Sequence, residues 1–157
     1  MKTKTMLSLI VAAILAGAYQ ANAAQGTGRA TIKVVTAIAV TNVSDLVFSE
    51  AAAGAAAETV DADQTETAQN ASFDIAGEPN RAIAITLPSD NTVFMATGGG
   101  GTPDQEIAVD QFTSNSPAQI DPSGTSQLFV GATRAALSAT QASGDYEGNF
   151  AVDVVYQ

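Results

Sequence analysis

The sequence predicts an all-β fold, a β-sandwich of about seven or eight strands. Three observations lead there. Short runs rich in Val, Ile, Thr and Phe recur along the chain, and many alternate apolar with polar side chains. Clusters of Gly, Pro, Asn, Asp and Ser separate these runs at close spacing. No βαβ rhythm is visible, and no long segment repeats large apolar residues with a helical period.

Taken in order, residues 30–41 place Ile32, Val34, Thr36, Ile38 and Val40 on one side of an extended chain, with Val35 adding apolar character to the other side. Leu46-Val47-Phe48 forms a second, very short run. Residues 50–58 are alanine-rich and so have helical propensity, but Gly54 interrupts them and they hold no large apolar residue to bury; they read as a loop. Residues 71–76, 82–87, 93–96, 107–113 and 127–131 follow as strands. Between them stand Gly77-Glu78-Pro79-Asn80, Pro88-Ser89-Asp90-Asn91, the glycines at 98–101, Ser116-Pro117 and Asp121-Pro122-Ser123-Gly124. Glycine supplies positive φ, proline fixes φ, and Asn and Asp bond locally to the backbone, so these are turns with a mechanism. Residues 134–141 resemble the earlier alanine-rich loop and lead into a last strand over 146–156.

The start of the chain reads as a cleaved signal peptide over residues 1–23. Lys2 and Lys4 precede an uncharged apolar stretch from Met6 to Ala18, and Ala21-Asn22-Ala23 offers a small-x-small cleavage pattern. The apolar stretch is short for a membrane span, which takes about 20 residues. Export through the inner membrane into the periplasm or beyond is therefore expected. Beyond the signal, residues 24–41 form an N-terminal extension or first strand, and residues 42–157 a single sandwich domain.

Without residues 1–23 the chain carries four basic and sixteen acidic residues, a net charge of −12. So acidic a surface repels phosphate, which argues against nucleic-acid and anionic-membrane partners. No second apolar run follows, so no membrane insertion is expected. Cysteine and histidine are both missing, which removes disulfides, thiol chemistry, the commonest general base and the commonest zinc ligands. The only lysine left after the signal is Lys33, and no serine stands at Ser-x-x-Lys spacing. Acidic pairs such as Asp104/Glu106 and Asp145/Glu147 fit a solvated face better than a catalytic cleft. Asp61, Asp63 and Glu66 share one loop but lack the glycine and spacing of a calcium loop. Neither catalysis nor a cofactor is expected.

The last strand is the most informative segment. Tyr146, Gly148, Phe150, Val152, Val154 and Tyr156 alternate with mostly polar or small residues, as a strand with one buried face requires. Gly144 is the fourteenth residue counted back from the end and Tyr156 is penultimate. Glycine at that spacing, alternating apolar residues and a penultimate tyrosine resemble the C-terminal signature of chaperone–usher pilin subunits. That resemblance implies an immunoglobulin-like sandwich lacking one strand, completed by a neighbour's N-terminal extension. It also implies a periplasmic chaperone and an outer-membrane usher as partners, besides other copies of the chain. Gly144, Tyr146, Phe150, Val152, Val154 and Tyr156 would then border the acceptor groove. Ile32, Val34, Thr36, Ile38 and Val40 would form the donor strand, although the same residues equally suit the domain's own first strand.

More of the chain is similar to a secreted bacterial family known as domain of unknown function 4402. The matching stretches are Ala37-Ile38-Ala39-Val40-Thr41, Asp45-Leu46-Val47-Phe48, Ala71-Ser72-Phe73-Asp74-Ile75-Ala76-Gly77-Glu78-Pro79 and Ala84-Ile85-Thr86-Leu87-Pro88. Val109-Asp110-Gln111-Phe112-Thr113-Ser114, Leu128-Phe129-Val130-Gly131-Ala132-Thr133 and Gly144-Asp145-Tyr146-Glu147-Gly148-Asn149-Phe150 complete them. The resemblance implies a secreted, fimbria-like β-sandwich and transfers no catalytic or binding residue. The missing disulfide departs from common pilins. The expected function is a structural subunit of a surface fibre, with a monomeric adhesin or polysaccharide-binding sandwich as the alternative. In the alternative, loops 98–103 and 115–124 would make the contacts.

Overall fold

The computed structural model describes residues 25–157, so the expected signal peptide lies outside the described residues. Two units are distinguished, Met1–Lys33 and Val34–Gln157. Of the first, residues 25–33 are extended, exposed and outside any strand.

The second unit is all-β. Its described strands are β1 (Ala39–Ser44), β2 (Glu58–Val60), β3 (Ala71–Ala76), β4 (Ile83–Thr86), β5 (Val93–Ala96), β6 (Glu106–Asn115), β7 (Thr125–Arg134) and β8 (Asp153–Tyr156). A single 3-10 turn, Pro103–Gln105, precedes β6. Five strands run in the order β1-β3-β7-β6-β5, and β2 pairs with the far end of β7. β4 and β8 form a separate antiparallel pair. The two sheets make the sandwich.

The period of two explains the layering. Phe73 and Ile75 of β3, Leu128 and Val130 of β7, Ile83 and Ile85 of β4, and Val154 and Tyr156 of β8 meet in one core with Ala71 and Ile120. Ala84 opposite Val155 and Thr86 opposite Asp153 turn outward. A second cluster, built on Val93, Val109 and Ala132, fills the β5–β6 end, and Phe112 and Phe150 join both.

Local chemistry fixes the turns. Asn80 and Asn91 adopt positive φ, as Asn tolerates. At the irregularity in β6, Gln111 also has positive φ, and its N–H donates to Asp90 Oδ1 at 2.8 Å. Asn91 N–H returns the bond to Asp110 Oδ1 at 2.7 Å, so two carboxylates lock the β4–β5 turn to the β6 bulge. Gly131 stands where the backbone leaving β2 crosses β7: a Cβ there would come within 2.2 Å of Val60 O.

Several strand bounds differ from expectation. Strand pairing in 30–41 begins only at Ala39. Leu46-Val47-Phe48 is not a strand; Leu46 and Phe48 pack on the core while Val47 N–H donates to Gln69 O. The alanine-rich stretch is a loop, as expected, but its end forms β2. The long strand expected over 146–156 is two pieces: Glu147 bridges Ala96 of β5, and pairing with β4 resumes only at Asp153. Gly148 stands at the start of the unpaired stretch, where the lack of a side chain lets the backbone pass close to Phe94 O. The chain therefore crosses β5 closely and then passes from one sheet to the other.

Candidate functional site

The C-terminal segment defines the candidate site. Phe150, Val152, Val154 and Tyr156 share one side of it and pack on the core, while Ala151, Asp153 and Val155 are exposed. Phe150 sits between Phe73 at 6.0 Å, edge to face, and Phe112 at 5.2 Å. All three rings remain partly exposed although they lie at the junction of the two core clusters. Beside them, where the segment has left β5 and not yet reached β4, a shallow cleft of about 300 Å³ is lined by Leu87, Pro88, Val93, Asn149, Phe150 and Ala151, among others. Among the described residues, β8 pairs with β4 on one edge and with no strand on the other. An open edge next to a partly open apolar core can accept an extended chain.

Gly144 and Tyr146 do not join this face. Gly144 lies against Thr97, whose Oγ1 is 2.6 Å from the Cβ position. The Tyr146 hydroxyl accepts from Gln141 Nε2 at 2.9 Å and lies within donating distance of Ala142 O (2.8 Å) and Asp104 O (3.0 Å). Tyr146 ties the loop before the C-terminal segment to the 3-10 turn, and Gly144 sits against Thr97, just past β5. Their places in the alternation did not reveal this, because strand pairing does not run on from them to Phe150.

The five expected donor residues separate along the chain. Val40 stands in β1 opposite Ile75 of the chain's own β3, and Ile38 packs on the core. Ile32 and Val34 are 87% and 83% exposed. Thr36 lies between them in a clamp. Its N–H and hydroxyl each donate to Glu78 Oε2 at 3.3 Å. Its carbonyl accepts from the Tyr156 hydroxyl at 2.7 Å, and that hydroxyl in turn accepts from Glu78 N–H at 2.7 Å. Gly77 makes room, since a Cβ there would come 2.5 Å from the Tyr156 hydroxyl and 2.6 Å from Ile120 Cδ1. Arg81 lies 5.4 Å from the centre of the Tyr156 ring. Glu78 reads in the sequence only as part of a turn, and Arg81 has no local signal at all, so neither role is legible without the fold.

Residues 38–156 match the family model described as Domain of unknown function (DUF4402). The chain belongs to this family. The DUF4402 match starts at Ile38, the first core-packed residue after the Thr36 clamp, and ends at Tyr156, the clamp's hydroxyl donor. No curated protein and no solved structure matches the chain. Among the described residues, no group of three or more His, Cys, Asp or Glu side chains is placed to hold a metal ion, so the Asp61–Asp63–Glu66 loop gathers no ligand set. No described helix is long and apolar enough to cross a membrane.

Proposed function

We propose that this DUF4402 protein is a structural subunit of an extracellular fibre or surface assembly, joined by β-strand complementation. The observation that carries the reading is the open edge of β8 beside the cleft at Phe150, in a chain that also presents an exposed, alternating Ile32 and Val34. An open strand edge and an exposed apolar arm are complementary needs, and one chain supplies both. Burying Ile32 and Val34 would contribute about 3–6 kcal/mol before ordering costs, with main-chain hydrogen bonds added.

Charge supports a second copy as the occupant. Residues 25–33 contain Arg29 and Lys33 and no acid, whereas residues 34–157 hold sixteen acids against Arg81 and Arg134, a charge of −14. A basic arm approaching an acidic body is steered toward it. Export by a signal peptide, and a chaperone and usher that protect and order the subunits, belong to the same proposal.

Material sheared from producing cells, run on a denaturing gel with and without boiling, tests the reading. A ladder that collapses to one band on heating, and that disappears in the double variant Ile32→Asp/Val34→Asp, is expected. A single monomer band in both lanes for the unaltered protein would end this reading and leave a lone secreted adhesin.

A further inference from the structure

The clamp at Thr36 divides the arm. We infer that Thr36 is the boundary between chain that stays with its own domain and chain that is lent to a neighbouring copy: residues up to Val34 are donated, and residues from Thr36 onward are not. This inference rests on the strand-complementation reading and adds where the exchanged segment stops.

The argument starts from satisfied polar groups. An exposed backbone residue normally bonds to water and gains little from staying in place. At Thr36 the N–H, the hydroxyl and the carbonyl are all engaged by two residues far away in sequence. The Tyr156 hydroxyl is the shared centre, bonded at 2.7 Å to both Glu78 N–H and Thr36 C=O. Its position is fixed by the ring's core packing and by the space at Gly77. Immediately downstream the chain is committed to its own domain: Ile38 is packed, and Ala39 faces Ala76 in β1–β3. Upstream, Ile32 and Val34 are almost fully exposed. Core packing and strand pairing thus begin just beyond Thr36.

A consequence concerns the receiving copy. Its own Thr36 is held by the side-chain hydroxyl of Tyr156, the last residue of β8, so its own arm leaves the domain beside the Tyr156 side chain. The incoming arm takes the edge at Val154 and, just before β8, Val152, next to the cleft at Phe150. Tyr156 and Glu78 act here as positioning residues, and they set both the length of the donated segment and where it stops.

Mixed single-cysteine chains test the boundary in the complete protein. Ala39 and Ala76 are register partners in β1–β3, so chains carrying Ala39→Cys and Ala76→Cys are co-assembled and oxidised. No cross-linked dimer is expected from that mixture, because β1 stays at home. Chains carrying Ile32→Cys and Val152→Cys, co-assembled in the same way, are expected to give a dimer that reducing agent separates. A dimer from the first mixture would overturn the boundary while leaving strand exchange intact. Polymer formation without a dimer from the second mixture would overturn the assignment of the donated segment. If the unaltered protein forms no polymer, strand complementation fails and this inference with it. The Tyr156→Phe variant keeps the ring and removes both hydroxyl bonds. It should raise amide hydrogen exchange at residues 36–38 by on the order of tenfold, whereas exchange unchanged from the parent would show that the clamp does not hold the arm.

Discussion

Arg134 ends β7 with its guanidinium buried, and its two terminal nitrogens find oxygen while its Nε has no acceptor among the described residues. Its Nη1 donates to Ala135 O at 3.0 Å, and its Nη2 to Ala56 O at 3.2 Å and to Glu58 Oε2 at 3.5 Å. Glu58 also accepts Ser49 N–H on both carboxylate oxygens, at 3.0 and 3.1 Å. Burial alone would raise the Glu58 pKa. The Ser49 bonds and the Arg134 charge outweigh it, and the carboxyl sits below its ordinary value. A lowered folded-state pKa gives stability that is full above the unfolded value near 4.5 and is lost as pH falls through the folded one. Glu58→Gln should cost about 1–3 kcal/mol at pH 7. It should also flatten the acid limb of a plot of urea midpoint against pH below about 4.5. Gly77 offers a second test at this scale. Gly77→Ala forces a methyl into the Tyr156 hydroxyl and Ile120, and should lower stability by about 1–3 kcal/mol in urea melts.

Among the elements, the C-terminal segment shows what a sequence can and cannot tell. Its alternation identified the inward face from Phe150 to Tyr156, because burial of every second side chain follows directly from strand geometry. The same alternation also took in Gly144 and Tyr146, which lie elsewhere. What separates them is backbone proximity at Gly148, a contact with Phe94 that no local pattern encodes. β2 escaped notice for a related reason: three residues at the end of an alanine-rich loop become a strand only because β7 lies beside them. At the other end of the chain, the run 30–41 was legible as extended apolar chain, but its division at Thr36 depends on Glu78 and Tyr156, distant in sequence. Phe150→Ala should remove one of the side chains that bridge the two core clusters and lower stability by about 3 kcal/mol. Ile32→Asp/Val34→Asp, at exposed positions, should shift the unfolding midpoint of the isolated chain by no more than about 0.5 kcal/mol while abolishing assembly. The pair of variants separates folding from joining.

For the molecule as a whole, charge is distributed unevenly: a basic arm precedes a body of −14. Attraction between an arm and another copy's body is screened over about 8–10 Å at moderate salt. Assembly of purified subunits, followed by light scattering, should therefore slow as sodium chloride rises, with little change in the subunit's own urea midpoint. A rate independent of salt would remove electrostatic steering from the account. The open edge of β8 has one more implication. In the proposed assembly each chain lends one arm and receives one at the β8 edge, so joining would run head to tail and would not close on itself by two-fold symmetry. A chain whose arm is disabled can still receive but cannot give. Mixed in at a few per cent, it becomes a terminator, and average filament length should follow the ratio of intact to disabled subunits, as chain length follows stopper concentration in a polymerisation.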